Sequence, residues 1–134
     1  MDQIEERGIG AVVEDAISVA SSRTYLTVDI DVLDPAFAPG TGTPEPGGLT
    51  TRELLRAVRS IALSLDLCAM DIVEVSPPYD PSGITALAAH RIVLETLSAM
   101  AIRSTGRPEN PQRSRISCTD RDRRGKGIWS QMNL

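Results

Sequence analysis

Aromatic side chains are nearly absent from this 134-residue sequence, at 3% of positions: Trp129, Phe37 and two tyrosines. A core must therefore come from Ile, Val, Leu and Ala, as in the layers of α/β proteins. Cysteine is scarce too. Cys68 and Cys118 stand far apart, with no C-x-x-C spacing and no histidine nearby, so neither a disulfide framework nor a zinc site is implied. No apolar run approaches the roughly 18 residues needed to cross a bilayer. The segment Met1-Asp2-Gln3-Ile4-Glu5-Glu6-Arg7 is acidic where a signal peptide is basic and then apolar. These absences point to a cytoplasmic protein with no membrane partner.

What is present fits one modest domain, with 41% hydrophobic and 24% charged residues. The net charge of −4 conceals a division: residues 1–102 carry six arginines against fifteen acids, net −9, whereas 103–134 carry eight Lys and Arg against three acids, net +5. The segment 104–134 is polar, proline-bearing and aperiodic, and reads as a disordered tail. It lacks aromatic interleaving and any known module, so no nucleic-acid partner is expected. Upstream, Ile9, Val12, Val13, Ala16, Ile17 and Ala20 recur at helical spacing and predict an amphipathic helix over 9–21. Thr50-Thr51-Arg52-Glu53 fits a capping box ahead of a second stripe, Leu54, Leu55, Val58, Ile61, Ala62 and Leu65. A third helix is predicted from Thr85 to about Ile102. Buried strands are read at 25–32 and 67–75, the second stopped by Pro77, Pro78 and Pro81. Helix, strand, helix, strand, helix with short connections is the pattern of a parallel α/β sheet. Two strands make a poor sheet, so a larger one is expected around them.

Thr27-Val28-Asp29-Ile30-Asp31-Val32-Leu33-Asp34-Pro35 carries the chemistry. Side chains alternate along a strand, so Asp29 and Asp31 are expected on one face, about 6.6 Å apart at the backbone, with Leu26, Val28, Ile30 and Val32 opposite. Two carboxylates so close repel unless a cation lies between them, and oxygen donors suit a divalent metal. The alternative is the solvated face of an edge strand. A Gly/Pro-rich loop follows, shaped by fixed and permissive φ values, and loops at the carboxyl ends of α/β strands are where ligands bind. Asp34 reads as a turn residue whose carboxylate ties down loop amides. An aspartate-nucleophile phosphatase would need a lysine near its phosphate, and Lys126 lies in the tail. A calcium loop fails because Leu33 takes a ligand position.

The run Val28-Asp29-Ile30-Asp31-Val32-Leu33-Asp34-Pro35, leading into Ala38-Pro39-Gly40-Thr41-Gly42-Thr43-Pro44-Glu45-Pro46-Gly47-Gly48-Leu49, resembles the signature of the ureohydrolase (arginase/agmatinase) family, agmatinase-like branch. Met70-Asp71-Ile72-Val73-Glu74-Val75-Ser76-Pro77 resembles the family's second acidic element, and Ile84-Thr85-Ala86-Leu87-Ala88-Ala89 the start of its last core helix. The resemblance covers about residues 7 to 102. It implies an α/β fold: part of a three-layer αβα arginase-like parallel sheet, with 1–103 its C-terminal portion and 104–134 the tail.

The resemblance also implies a manganese-dependent amidinohydrolase that converts a guanidino compound such as agmatine to an amine, putrescine, and urea. Asp29 would bridge two manganese ions, Asp31 would ligate one, and Glu74 would receive the substrate's guanidinium. A carboxylate suits that planar donor fork. Intact family members form homo-oligomers. Asp71 is read as structural, and His90 as a helix-face residue. The family's histidine-bearing ligand segments, Gly-Gly-Asp-His and Asp-Ala-His-x-Asp, do not occur here. The chain alone is therefore expected to be inactive, and the alternative is a non-catalytic remnant that serves as an oligomerisation or interaction piece.

Overall fold

Among the described residues six helices and strands alternate: α1 (Asp2–Val19), β1 (Thr24–Asp29), α2 (Thr51–Ser64), β2 (Leu67–Val73), α3 (Ile84–Thr105) and β3 (Ser130–Asn133). They come from a computed structural model that describes residues 2–20, 23–106 and 130–133. The α1 segment is broken at Gly8, where φ is 78°. The periodic stretch identified in the sequence is the part that follows this break, and its Val13 is buried while Ile9 and Ile17 pack against the core.

Helix α2 begins with the expected capping box. The Thr50 hydroxyl accepts from the Glu53 amide at 3.2 Å, and the Glu53 carboxylate accepts from the Thr50 amide at 2.8 Å, so two otherwise orphaned donors are satisfied at once. Leu54, Ala57, Val58, Ile61 and Ala62 form its buried stripe. That stripe carries the crossover from β1 to the parallel β2, which pair from Thr24↔Leu67 to Asp29↔Val73.

β1 shows strict alternation. Thr24, Leu26 and Val28 have no exposed surface, whereas Tyr25, Thr27 and Asp29 are half-buried. The buried side faces the helices in one continuous aliphatic cluster. Each fully buried Leu or Val there contributes about 1.5–3 kcal/mol relative to exposure. Of the three layers that the sequence implied, the described residues supply the sheet and one helical layer.

Both strands end earlier than the sequence reading placed them. β1 stops at Asp29 and β2 at Val73, both before the predicted ends. The sheet also has a third strand: β3 pairs in parallel with β1, from Thr24↔Ser130 to Thr27↔Asn133, giving the order β2-β1-β3. These four residues belong to the segment expected to be disordered, as do Ser104 and Thr105, which end α3, and Gly106, its C-cap; 107–129 and Leu134 lie outside the described residues.

Helix α3 buries Thr85, Ala88, Ile92, Thr96 and Ala99. By length and composition it is also long and apolar enough to cross a bilayer, with a mean hydropathy of 1.2, which the run-length reading of the sequence did not anticipate. Its polar partners argue for packing on α2 instead. Glu95 accepts from Arg59 of α2 at 2.5 Å and from Arg91 at 3.1 Å, and Arg103 meets Asp66 at 3.0 Å. A spanning helix would have to strip these charges of water.

Candidate functional site

The acidic residues converge where β1 and β2 end, but not by the route the spacing suggested. Ile30–Val32 form a 3₁₀ turn, so Asp31 is not a strand residue. Asp29 instead caps that turn, its Oδ1 accepting from the Asp31 amide at 3.2 Å. A cap, rather than the pleat of a strand, holds the two carboxyl groups together.

Electrostatics reflect the crowding. Burial is the main cause that raises the Asp29 carboxyl above its ordinary range; the Asp31 amide pulls it down, and the Asp31 and Glu74 carboxylates push it further up. The ion pairs among the described residues all lie elsewhere. The three acids thus form a negative cluster with no cation of the described chain beside it, the condition in which an added cation is favourable.

Glu74 stands just past β2 in a left-handed conformation, φ 62°, and is the one described non-glycine residue with positive φ. For an L-residue this costs roughly 1–2 kcal/mol. Such strain persists only where the surroundings enforce it, and it turns the residue out of the strand path. Here the enforcing contacts are visible. The Ser76 amide donates to the Gly40 carbonyl at 2.8 Å, and the Gly40 amide donates to Thr85 Oγ1 at 2.7 Å.

Gly40 has no room for a side chain, since a Cβ there would lie 2.3 Å from the Asp80 Cβ. Asp80 is itself buried and accepts from the Thr85 and Ala86 amides at 3.2 and 2.9 Å, capping α3. Burial pushes its carboxyl up, but those backbone donors outweigh burial and hold it below the usual range. The loop after β1, the end of β2 and the start of α3 are thereby clasped together.

The same loop reaches the acids. Thr43 donates its hydroxyl to Asp31 Oδ2 at 2.7 Å, and Gly42 lies beside Glu74, with its Cβ position 3.7 Å from Oε2. Asp34 behaves as expected: its carboxylate accepts from the Ala36 and Gly47 amides, both at 2.8 Å, and is held below its ordinary range by them. The ends of the loop are closed by Asp34 N to Leu49 O at 3.0 Å and Leu49 N to Val32 O at 2.8 Å. It is a closed Ω-type loop rather than a floppy connection.

The structure therefore brings Asp29, Asp31 and Glu74 together and leaves the other candidates apart. Asp71, on the neighbouring register position to Thr27, accepts from the Tyr25 hydroxyl and is held low by Thr27 and Tyr25. His90 is exposed on α3. Sequence reasoning missed the clasp of Gly40, Asp80 and Thr85. Its one signal was the turn-forming run Asp80-Pro81-Ser82-Gly83 ahead of an apolar helix.

As a metal centre the donor set is partial. Among the described residues no group of three or more His, Cys, Asp or Glu side chains is arranged to hold an ion. Asp29 and Asp31 suit an oxygen-preferring divalent cation as two of its donors, and a closed site needs more.

Known proteins resemble this chain in sequence and in fold. A model of the arginase family fits residues 1–98. The chain is 50% identical over 100 residues to an agmatinase of Proteus mirabilis, covering 74% of this chain and 32% of that protein. It is 46% identical over 102 residues to a guanidinopropionase of Pseudomonas aeruginosa, covering 75% and 32%. The crystal structure of a hypothetical agmatinase from Burkholderia thailandensis superposes with a TM-score of 0.71 at 45% identity, over 78% of this chain and 33% of that one. The chain spans about a third of the length of the relatives it matches.

Proposed function

The chain belongs to the arginase family, and from that premise we propose that it is the C-terminal part of a manganese-dependent amidinohydrolase that releases urea from a small guanidino compound. The observation that carries the proposal is the carboxylate cluster at the ends of two adjacent parallel strands, Asp29 and Asp31 beside Glu74. The names of the relatives support the substrate class, since they include an agmatinase and a guanidinopropionase. Agmatine, giving putrescine, is the substrate we favour, and a cytoplasmic, homo-oligomeric enzyme is the setting.

Asp29 and Asp31 would hold the metal, with Thr43 keeping Asp31 oriented through its hydroxyl. Bound manganese would supply a water acidic enough to attack a guanidinium carbon at neutral pH. Glu74 would accept the guanidinium's paired N–H donors and set the angle at which that carbon is presented. The left-handed backbone at Glu74 pre-organises this acceptor, so less ordering is required when substrate arrives. Because the donor set among the described residues is partial, the chain by itself is expected to turn over no substrate. That same observation favours a second reading, a non-catalytic interaction piece.

A chimera separates the two. Residues 1–98 replace the matched segment of the Proteus mirabilis agmatinase, and urea release from agmatine and from guanidinopropionate is assayed with manganese present. Turnover is expected, with Asp29→Asn lowering kcat/KM by at least about a hundredfold, at or beyond the loss typical of supporting residues around a metal. Glu74→Gln is expected to raise KM as well as lower kcat. A soluble chimera that releases no urea from either compound would leave only the interaction reading.

A further inference from the structure

The two neighbours of β1 reach it by different routes. From β1 the chain crosses α2 to β2 on one flank, and from β2 it crosses α3 to β3 on the other, giving the order β2-β1-β3. Both helices lie on the same face, since Leu54, Val58 and Ile61 of α2 and Ala88, Ile92 and Ala99 of α3 join one cluster with Leu26 and Val28. Two parallel connections that run over one face in opposite directions have opposite hands. Right-handed connections are almost universal in such sheets, because only that hand packs a twisted strand and its helix back together. One of these two must break the rule.

The lengths of the connections show which. Leu65 and Asp66 alone separate α2 from β2, whereas residues 106–129 intervene between α3 and β3. The first unit is a tight crossover, and α3 does not dictate where β3 goes. Nor does reach dictate it. Arg103, near the end of α3, meets Asp66 at 3.0 Å, and the Asp66 carbonyl accepts from the amide of Thr24, the register partner of Ser130, at 3.0 Å. A connection far shorter than 106–129 would bridge that gap. What draws the segment in is charge and attachment: residues 107–129 carry seven Lys and Arg against three acids, net +4, opposite a body of net −9 over 1–102.

The edge that β3 occupies is one that needs covering. Thr24-Tyr25-Leu26-Thr27-Val28 is uncharged, rich in β-branched residues, and has no lysine or proline to blunt it, the composition that pairs edge to edge when exposed. We propose that Ser130–Asn133 is a removable guard of the outer edge of β1: in place, it satisfies that edge within one chain, and displaced, it opens a strand-addition site that takes the same edge of a second copy.

Amide exchange in the full 134-residue chain tests this. The Thr24 amide points to the β2 side, where it donates to Asp66, so by alternation the Tyr25 and Thr27 amides face β3. Gln131→Pro and Met132→Pro are introduced together, since adjacent residues of a strand aim their N–H groups at opposite edges and one of the two prolines must remove a bond to β1. In dilute solution the Tyr25 and Thr27 amides of this variant should exchange at least tenfold faster than in the unaltered chain, with Leu26, Val28 and the α2 amides unchanged. As concentration rises, light scattering should show a dimer, and protection of Tyr25 and Thr27 should return with it. Arg113→Pro, in the connection, should alter neither readout.

Unchanged exchange at Tyr25 and Thr27 overturns the proposal, because β3 would then guard nothing. Faster exchange without association at any concentration also overturns it, as does a dimer in which those two amides stay unprotected. Acceleration spread through Leu26, Val28 and α2 would make β3 part of the core rather than a removable guard. Neither readout involves urea release, so the outcome stands apart from that of the chimera.

Discussion

The two ends of β1 obey opposite rules. From Thr24 to Val28 its inward side chains are completely buried against α2 and α3, in a region where charges are paired at the margins. Past Asp29 the chain accumulates what a stability-minded design avoids: adjacent acids, a carboxyl forced above its normal range, and a glutamate in left-handed backbone. The lesson is that the aliphatic layer holds the strain of the acidic rim, and the clasp through Gly40, Asp80 and Thr85 transmits that rigidity to the loop. Perturbing the first region should therefore cost stability, and perturbing the second should cost binding while sparing or improving stability.

The largest effect is expected in the core. Ile61 has no exposed surface, so Ile61→Ala should lose about 2–5 kcal/mol, through lost burial and the cavity left behind. Urea unfolding followed by circular dichroism measures it. A loss below 1 kcal/mol on that scale would mean that the aliphatic layer is loosely packed, and the contrast between the regions would weaken.

An intermediate effect is expected where the loop is pinned. A Cβ on Gly48 would sit 2.5 Å from the Asp34 backbone nitrogen and 2.7 Å from the Val32 carbonyl oxygen, atoms that cannot step aside. Gly48→Ala should cost about 1–3 kcal/mol, the usual penalty for overfilling a packed site. Amide exchange at Gly47, whose N–H is bonded to Asp34, should accelerate in parallel. Unchanged exchange would show that the loop closes without this contact.

The smallest effect has the opposite sign. Asp29→Asn keeps an oxygen acceptor for the Asp31 amide and removes one charge from the cluster. An acid whose pKa is raised on folding destabilises the folded state at every pH above its unfolded value, so removing it should shift the unfolding midpoint slightly upward at pH 7. Manganese binding should fall at the same time. A destabilised Asp29→Asn chain would show that the acids contribute to the fold rather than strain it.

Much of this architecture was readable in advance, and the reasons are local. Helical stripes and the Thr50–Glu53 box depend on neighbours three or four residues away, so they appear in α2 as read. Asp34 was legible for the same reason, because an aspartate ahead of proline and glycine finds its amide donors within the loop it starts. The D-x-D pair was legible as chemistry but not as geometry: period-two reasoning placed Asp31 on the strand, and the turn at Ile30–Val32 had no glycine or proline to announce it. The positive φ at Glu74 and the contact between Gly40 and Asp80 were invisible, since both arise from segments about 35 to 40 positions apart meeting at one point. The pairing of Ser130–Asn133 with β1 was unreadable because parallel pairing depends on which edge is free, not on the strand's own pattern.

By itself, then, the amino-acid order determined the three helices and the first two strands, the aliphatic core and the presence of closely spaced acids, since each rests on periodicity and on residue chemistry that acts at short range. Only the tertiary structure decided that Asp29, Asp31 and Glu74 share one rim, that a loop hydroxyl orients Asp31, and that the helices among the described residues gather on one face of the sheet. Those outcomes depend on how separate segments end and stack. The free energy that selects among such arrangements comes from burial shared across the whole chain, and no local stretch encodes it.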